Sequence, residues 1–265
     1  MLCWNGQKNG ARFDRTHILL IKRRTNLGKV ISRLGEKRLN TYGTEMEIIE
    51  YKNWNEVTVR FLDEHGVKVK TTYGNYSRGQ VHNPYDKTAY GVGYIGEGKY
   101  KTGRKSGTRM EYIWRCMLQR CYHEKEKHLH PAYYGICTVC DEWLNYQNFC
   151  KWYEENYYEA GKGRMHLDKD ILVKGNTVYS PETCLIIPQR INLIFMDKGN
   201  GRNTGIRHNN KRYEALYGGS HLGTFDTFEE ATKEYDKAKR EHIKNVVKEF
   251  DGQLPQKVVN ALLAW

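Results

Sequence analysis

The sequence has no hydrophobic run near the ~20 residues a membrane-spanning helix needs. Its first apolar core, Ile18-Leu19-Leu20-Ile21, is four residues long and is followed at once by Lys22-Arg23-Arg24. A secretory leader carries a longer apolar stretch than that. The expected compartment is therefore the cytoplasm, with no membrane partner. Cysteine is not used as in a stapled secreted domain: there are seven, an odd number, and reduced thiols are expected. Internal repeats and low-complexity tracts are absent, which excludes a solenoid or a disordered tether. Acidic residues are outnumbered, 31 against 43 Lys and Arg, for a formal net charge of +12. Such a surface favours a polyanionic partner, because clustered Lys and Arg displace counterions from phosphates.

What is present is a globular composition. Of 265 residues, 39% are hydrophobic and 12% aromatic, enough for two or three small cores. The charge is uneven. Residues 1–38 hold ten Lys or Arg against Asp14 and Glu36, which reads as a basic arm. Residues 39–100 form a small β module: "EMEIIEY", "EVTVRFLD" and "VKVKTTY" alternate apolar and polar residues at the period of a strand. The glycine-rich run 91–103 is expected to close it. A helix is expected from about Thr108, because Met110, Ile113, Trp114, Met117, Leu118 and Cys121 recur at three-and-four spacing. A loop with His123, His128 and His130 follows, read as solvated, and then a second helix over 143–158. Residues 165–172 and 176–187 read as two strands, and "PQRINLIF" (188–195) as a helix with Pro188 in its first turn.

Beyond a hinge at 197–205, three short strands precede a long helix. Thr227 and Glu230 form a capping box at its start. The expected fold class is α+β, multidomain. Its parts are the arm (1–38), the β module (39–100), a strand–strand–helix domain (105–198) and a sheet-plus-helix domain (204–265). Cys116, Cys121, Cys137 and Cys140 could pair around zinc, since Cys137 and Cys140 form a CxxC half. The wider Cys116–Cys121 spacing sits inside a helical stripe, where a buried thiol is ordinary, and zinc is not the expected cofactor.

Two segments resemble known families. Residues 205–240, with "KRYEALY", "HLGTFDTFEEA" and "YDKAKRE", resemble the ethylene-response-factor (Apetala-type) DNA-binding domain of plants, also found beside phage nucleases. The resemblance implies a three-stranded antiparallel sheet backed by one helix, with the sheet in the major groove of double-stranded DNA, which admits a two-stranded element. Tyr213 and Ala215 would then pack inward, and Arg207, Lys211, Arg212 and Glu214 would face DNA, with Lys22, Arg23 and Arg24 of the arm adding phosphate contacts.

Residues 108–198 resemble the HNH endonucleases of phages and mobile elements. The shared features are Trp114, Arg120-Cys121-Tyr122, "VCDEW" (139–143), Leu167-Asp168-Lys169-Asp170, "YSPETC" (179–184) and Asn192. The resemblance implies phosphodiester hydrolysis with one hard divalent ion, Mg²⁺ or Mn²⁺, and a histidine base. In the homing-type register Asp168 and Asn192 would be metal ligands, Thr183 would stand at the middle Asn, and Lys169 at the base histidine. An ammonium with an ordinary pKa of about 10.4 cannot accept a proton at neutral pH. In the register of colicin-type DNases, "HLDKDI" resembles "HHDKPI"; His166 then matches a metal ligand and Leu167 the base. Both registers lack the usual base, and His166 is the nearest substitute. Three readings follow: a weakened HNH-like nuclease, a catalytically inactive DNA-binding protein, or a phage inhibitor that binds a host defence protein.

Overall fold

The computed structural model describes residues 32–103, 108–195 and 205–265. Lys22, Arg23 and Arg24 lie outside the described residues. The fold is mixed α+β and divides into two compact units, one reaching to Val81 and the other running from His82 to Trp265.

In the first unit, β1 (Lys37–Leu39), β2 (Glu45–Asn53), β3 (Glu56–Phe61) and β4 (Lys68–Thr71) form an antiparallel meander in chain order. Alternation decides its inner face. Met46 pairs with Phe61 and Ile48 with Val59, and all four are at most 1% exposed. At about 1.5–3 kcal/mol per buried side chain, this one face supplies most of the unit's driving force. The short helix α1 (Tyr73–Ser77) starts at Thr72, whose side chain accepts the Asn75 N–H. It buries Tyr76, whose hydroxyl donates to the Glu36 carbonyl at 2.7 Å.

The glycine-rich run 91–103 belongs to the second unit, not to the β module as its position implies. Ala89, Tyr90, Val92, Ile95 and Tyr100 pack on the core built around Trp114 and Trp143. The glycines permit this closeness. A Cβ on Gly93 would stand 2.5 Å from Leu118 Cδ1 and 2.9 Å from Trp114 Cζ2. The helix α2 (Arg109–Tyr122) begins at the Thr108 cap. Its stripe buries Ile113, Trp114, Met117, Leu118 and Cys121 against α4 (Tyr146–Asn156), which follows the short α3 (Asp141–Leu144).

The strand–strand–helix expectation is met with a different division of the strands. β6 (Met165–Asp168) pairs antiparallel with β8 (Leu185–Pro188), and α5 (Gln189–Phe195) follows directly. β6 stops at Asp168 because that carboxylate turns back. Its Oδ1 accepts the N–H groups of Asp170 at 2.9 Å and Ile171 at 2.8 Å. The expected second strand splits. β7 (Val178–Tyr179) pairs in parallel with β5 (Thr138–Val139). Backbone bonds from Thr183 and Cys184 to the Ser180 carbonyl then turn the chain into β8.

β8 is buried along its whole length. Ile186 faces the Trp114 core, while Leu185 and Ile187 face a second core. A strand covered on both faces reads as a continuous apolar run. The second core is completed from far along the chain. Strands β9 (Ile206–Asn209), β10 (Arg212–Tyr217) and β11 (Ser220–Phe225) form an antiparallel sheet. Behind it runs α6 (Phe228–Glu249), 22 residues long, with the Thr227–Glu230 capping box in place. Its last turns continue past that sheet. Ile243 and Val246, with Phe250, Leu254 and the residues Val258 and Leu262 of α7 (Gln256–Leu263), pack on Ile171, Leu185, Ile187 and Ile191. The end of the chain thus supports the β6–β8–α5 unit. Among the described residues no helix is long and apolar enough to cross a membrane.

Candidate functional site

α2 carries a polar stripe beside its apolar one: Arg109, Tyr112, Cys116, Gln119 and Arg120. These residues face β6 and α5 across a cleft of about 420 Å³, which Arg164, His166, Asn192 and His130 also line. His166 and Asn192 meet there, with Asn192 Nδ2 3.1 Å from His166 Nδ1. One comes from the first strand and the other from the helix after the second. In this arrangement the amide donates to the imidazole lone pair, and the ring proton resides on Nε2. Half a turn of the amide exchanges donor for acceptor and moves the lone pair to Nε2.

Three guanidinium groups surround this pair. Arg109 donates to the Met165 carbonyl, and Arg120 Nε donates to the Cys116 carbonyl at 3.1 Å. Arg164 is exposed at the mouth. Arg115, a neighbour on α2, is neutralised by Glu111 at 2.8 Å. Among the described residues, Arg109, Arg120 and Arg164 have no such carboxylate partner, and no Asp or Glu lines the cleft. Each guanidinium has five N–H donors in a rigid fork, so donors remain for water or for an anionic ligand. Burial first, and then Arg109, Arg120 and Arg164, hold the His166 pKa below its ordinary value. Both effects favour the uncharged imidazole.

The other expected site residues lie elsewhere. Lys169 is not presented to the cleft. Its ammonium is buried, donating to Asp170 Oδ1 at 2.6 Å and to the Asn176 carbonyl at 2.7 Å, over the rings of Tyr133 and Tyr179. Burial opposes the charge, but the bond and attraction to Asp170 outweigh it, and the Lys169 pKa is raised. It is a cation closing the loop after β6. Thr183 Oγ1 donates to the Val178 carbonyl at 2.7 Å and ties the β7–β8 turn.

Asp168 does not line the cleft, its Oδ1 is taken by two backbone N–H groups, and burial pushes its pKa up. A hard divalent ion takes oxygen ligands and favours carboxylates. One imidazole and one amide among three guanidinium groups do not fit Mg²⁺ or Mn²⁺. The four cysteines weighed for zinc form no disulfide among the described residues. Cys121 is buried, and burial pushes its pKa up to about 12. Among the described residues no group of three or more His, Cys, Asp and Glu could hold a metal ion.

On the β9–β11 sheet, Tyr213 packs edge-on against Phe228 of α6, and Ala215 is fully buried. Arg207, Lys211 and Arg212 are exposed, and Glu214 stands opposite Arg207 in the register. Arg212 pairs with Asp226 at 2.8 Å, and Glu214 accepts from Asn209 at 2.8 Å.

Arg109, Arg164 and Gln119 do not stand out as site residues in the sequence; Arg120 is visible only within the Arg120-Cys121-Tyr122 run of the resemblance, and His130 only as part of a loop read as solvated. The available signal is the stripe 109, 112, 116, 119 and 120, which follows helical spacing beside the apolar stripe. No family model, no curated protein and no solved structure matches this chain.

Proposed function

We propose that the protein binds double-stranded DNA and seats a backbone phosphodiester in the arginine-lined cleft, beside His166 and Asn192. The observation that carries this reading is the set of three guanidinium groups without carboxylate partners around an amide-oriented imidazole whose uncharged form is favoured. Phosphate geometry matches the guanidinium fork. The exposed Arg207, Lys211 and Arg212 of the β9–β11 sheet support a second contact on the same duplex. The HNH-like order of strand, strand and helix makes slow hydrolysis the chemistry in keeping with this cleft. In the fraction of complexes whose imidazole is unprotonated, with the Asn192 amide turned so that its oxygen accepts from Nδ1–H, Nε2 takes a proton from water, which keeps the reaction slow. The water oxygen bonds to phosphorus, one P–O bond to sugar breaks, and the departing oxygen is protonated from solvent. A positioned base of this kind contributes ~10²–10⁴-fold.

Nicking of supercoiled plasmid by the full chain tests this. Slow nicking is expected, lost in His166→Ala with DNA affinity kept within a few-fold. Nicking by His166→Ala at the wild-type rate would remove His166 from the mechanism. Salt-sensitive binding with no nicking by the wild type would leave a DNA-binding protein without cleavage, a reading favoured by the burial of Lys169 where the family has its base.

A further inference from the structure

The DNA reading leaves open what offsets the charge of the phosphate. In a metal-dependent site a divalent ion does so, held by carboxylates. Here the lining offers the opposite. Arg109 and Arg120 from α2 and Arg164 from the entry to β6 converge with His130, His166, Gln119 and Asn192. A dication would have to enter against three positive charges with no carboxylate to offset them, and the Coulomb cost rises as the surroundings become drier.

We infer that the cleft is a metal-independent oxyanion site, in which a phosphoryl group is held by the guanidinium N–H groups of Arg109, Arg120 and Arg164 and accepts a further bond from His166. The inference rests on the phosphodiester reading above and adds how the charge is met.

The arrangement is built for this rather than accidental. Arg120 is fixed from two sides, by its bond to the Cys116 carbonyl at 3.1 Å and by the Tyr133 ring 5.6 Å from its guanidinium carbon. Arg109 is tied to β6 itself through the Met165 carbonyl. Arg109 and Arg164 are both exposed, and Arg164, which has no such tie among the described residues, is the one free to adjust to a ligand. Glu126, outside the lining, accepts from Gln119 Nε2 at 2.5 Å and stands 3.4 Å from His123. It is thereby spent on orienting Gln119.

Proton binding is coupled to occupancy. The charged and titratable groups lining the cleft with His166 are Arg109, Tyr112, Cys116 and Arg120 from α2, Arg164 preceding its own strand and His130 from the loop. Asn192 of α5 is its polar neighbour, and Ile187 is opposite it on β8. All the charges among these are positive or neutral. A bound phosphoryl group neutralises them and adds an acceptor, so occupancy favours the imidazolium. Binding then takes up a proton and strengthens as pH falls toward the His166 pKa of the empty cleft.

The test uses the full chain with two probes, inorganic phosphate and a short DNA duplex, each titrated in excess EDTA and again in excess Mg²⁺. Phosphate and duplex are expected to bind equally well in both. Phosphate affinity is expected to fall about tenfold in Arg164→Gln, as for loss of one bond to a charged group. The His166 ring signals, followed by NMR, should titrate at higher pH with phosphate bound. Arg120→Gln should act in the same direction if thermal melting shows it folded; Arg164→Gln, at an exposed position, carries the test if it is not. Binding of either probe only when Mg²⁺ is present would overturn the inference and leave the DNA reading standing. Phosphate binding in EDTA without any duplex binding would do the reverse. Arg164→Gln binding phosphate as the wild type does would overturn the arginine assignment.

Discussion

Replacing Lys169 by methionine separates a structural lysine from a catalytic one. The side chain is 8% exposed and its ammonium makes two bonds, to Asp170 Oδ1 and to the Asn176 carbonyl. A bond from a charged donor contributes roughly 1.5–3 kcal/mol. Asp170 is 40% exposed, so its carboxylate rehydrates and that half is worth at most about 1 kcal/mol. The Asn176 carbonyl loses its donor at a cost of roughly 1–2 kcal/mol. Methionine keeps the stem packed against Tyr133 and Tyr179 and no longer buries a charge, which offsets part of the sum. The net loss is about 1–2 kcal/mol. At roughly 2–4 °C per kcal/mol for a unit of this size, Tm falls by about 2–8 °C. Thermal melting followed by circular dichroism measures it, with DNA affinity and nicking taken on the same preparation below the melt. Both activities should match the wild type. The reasoning is refuted if nicking collapses while Tm is unchanged, or if Lys169→His, which the homing-type register would restore to a base, raises the rate.

The remaining expectations concern support, recognition and pH. Phe250→Ala should cost about 3 kcal/mol and weaken phosphate binding indirectly, because Phe250 shares a core with Ile187, the register partner of His166; melting and phosphate titration of the same variant check both. A chain cut after 203 should melt without cooperativity for the same reason, so site recognition has to be probed by point substitution. Arg212→Gln should leave Tm unchanged, since its pair with Asp226 is exposed, yet reduce the slope of log affinity against log salt by roughly one unit. Stability should fall on acidification below about pH 6.5. The His166 pKa is depressed in the fold, so the unfolded chain binds the proton first in that window. Asp168, whose pKa is raised, acts with the opposite sign at lower pH. Denaturant melts of the wild type and His166→Gln across pH 5–7 isolate the first effect, which the variant should lack.

Much of the local structure is readable from the sequence because one physical signal dominates each element. The apolar stripe of α2 and the capping residues Thr108 and Thr227 mark their helices without tertiary help. The strand–strand–helix order is also visible, though not the split of its second strand. What periodicity cannot show is where alternation stops. Asp168 ends β6 by capping its own turn, so Lys169 does not stand on a strand face and folds into the loop instead. Periodicity also cannot say what covers an apolar face. The stripe of α6 reads as one surface for one sheet, yet Ala231 serves the β9–β11 sheet while Ile243 and Val246 serve the core behind β8. The cleft is hidden for a third reason. Arg109 and Arg164 are ordinary arginines in sequence, Arg120 is marked only by the resemblance, and only the packing of α2 against β6 makes them a site.

The central claim is that these arginines hold a DNA phosphate, and its most direct measurement is the salt dependence of duplex binding by Arg109→Gln/Arg164→Gln beside the wild type, in EDTA. Both side chains are exposed, so the fold should tolerate the change. Anisotropy titrations over a range of salt should give a slope shallower by roughly one to two units, about one for each phosphate the variant no longer neutralises. A slope and affinity indistinguishable from the wild type would mean that the cleft does not touch the backbone, and the account would be wrong.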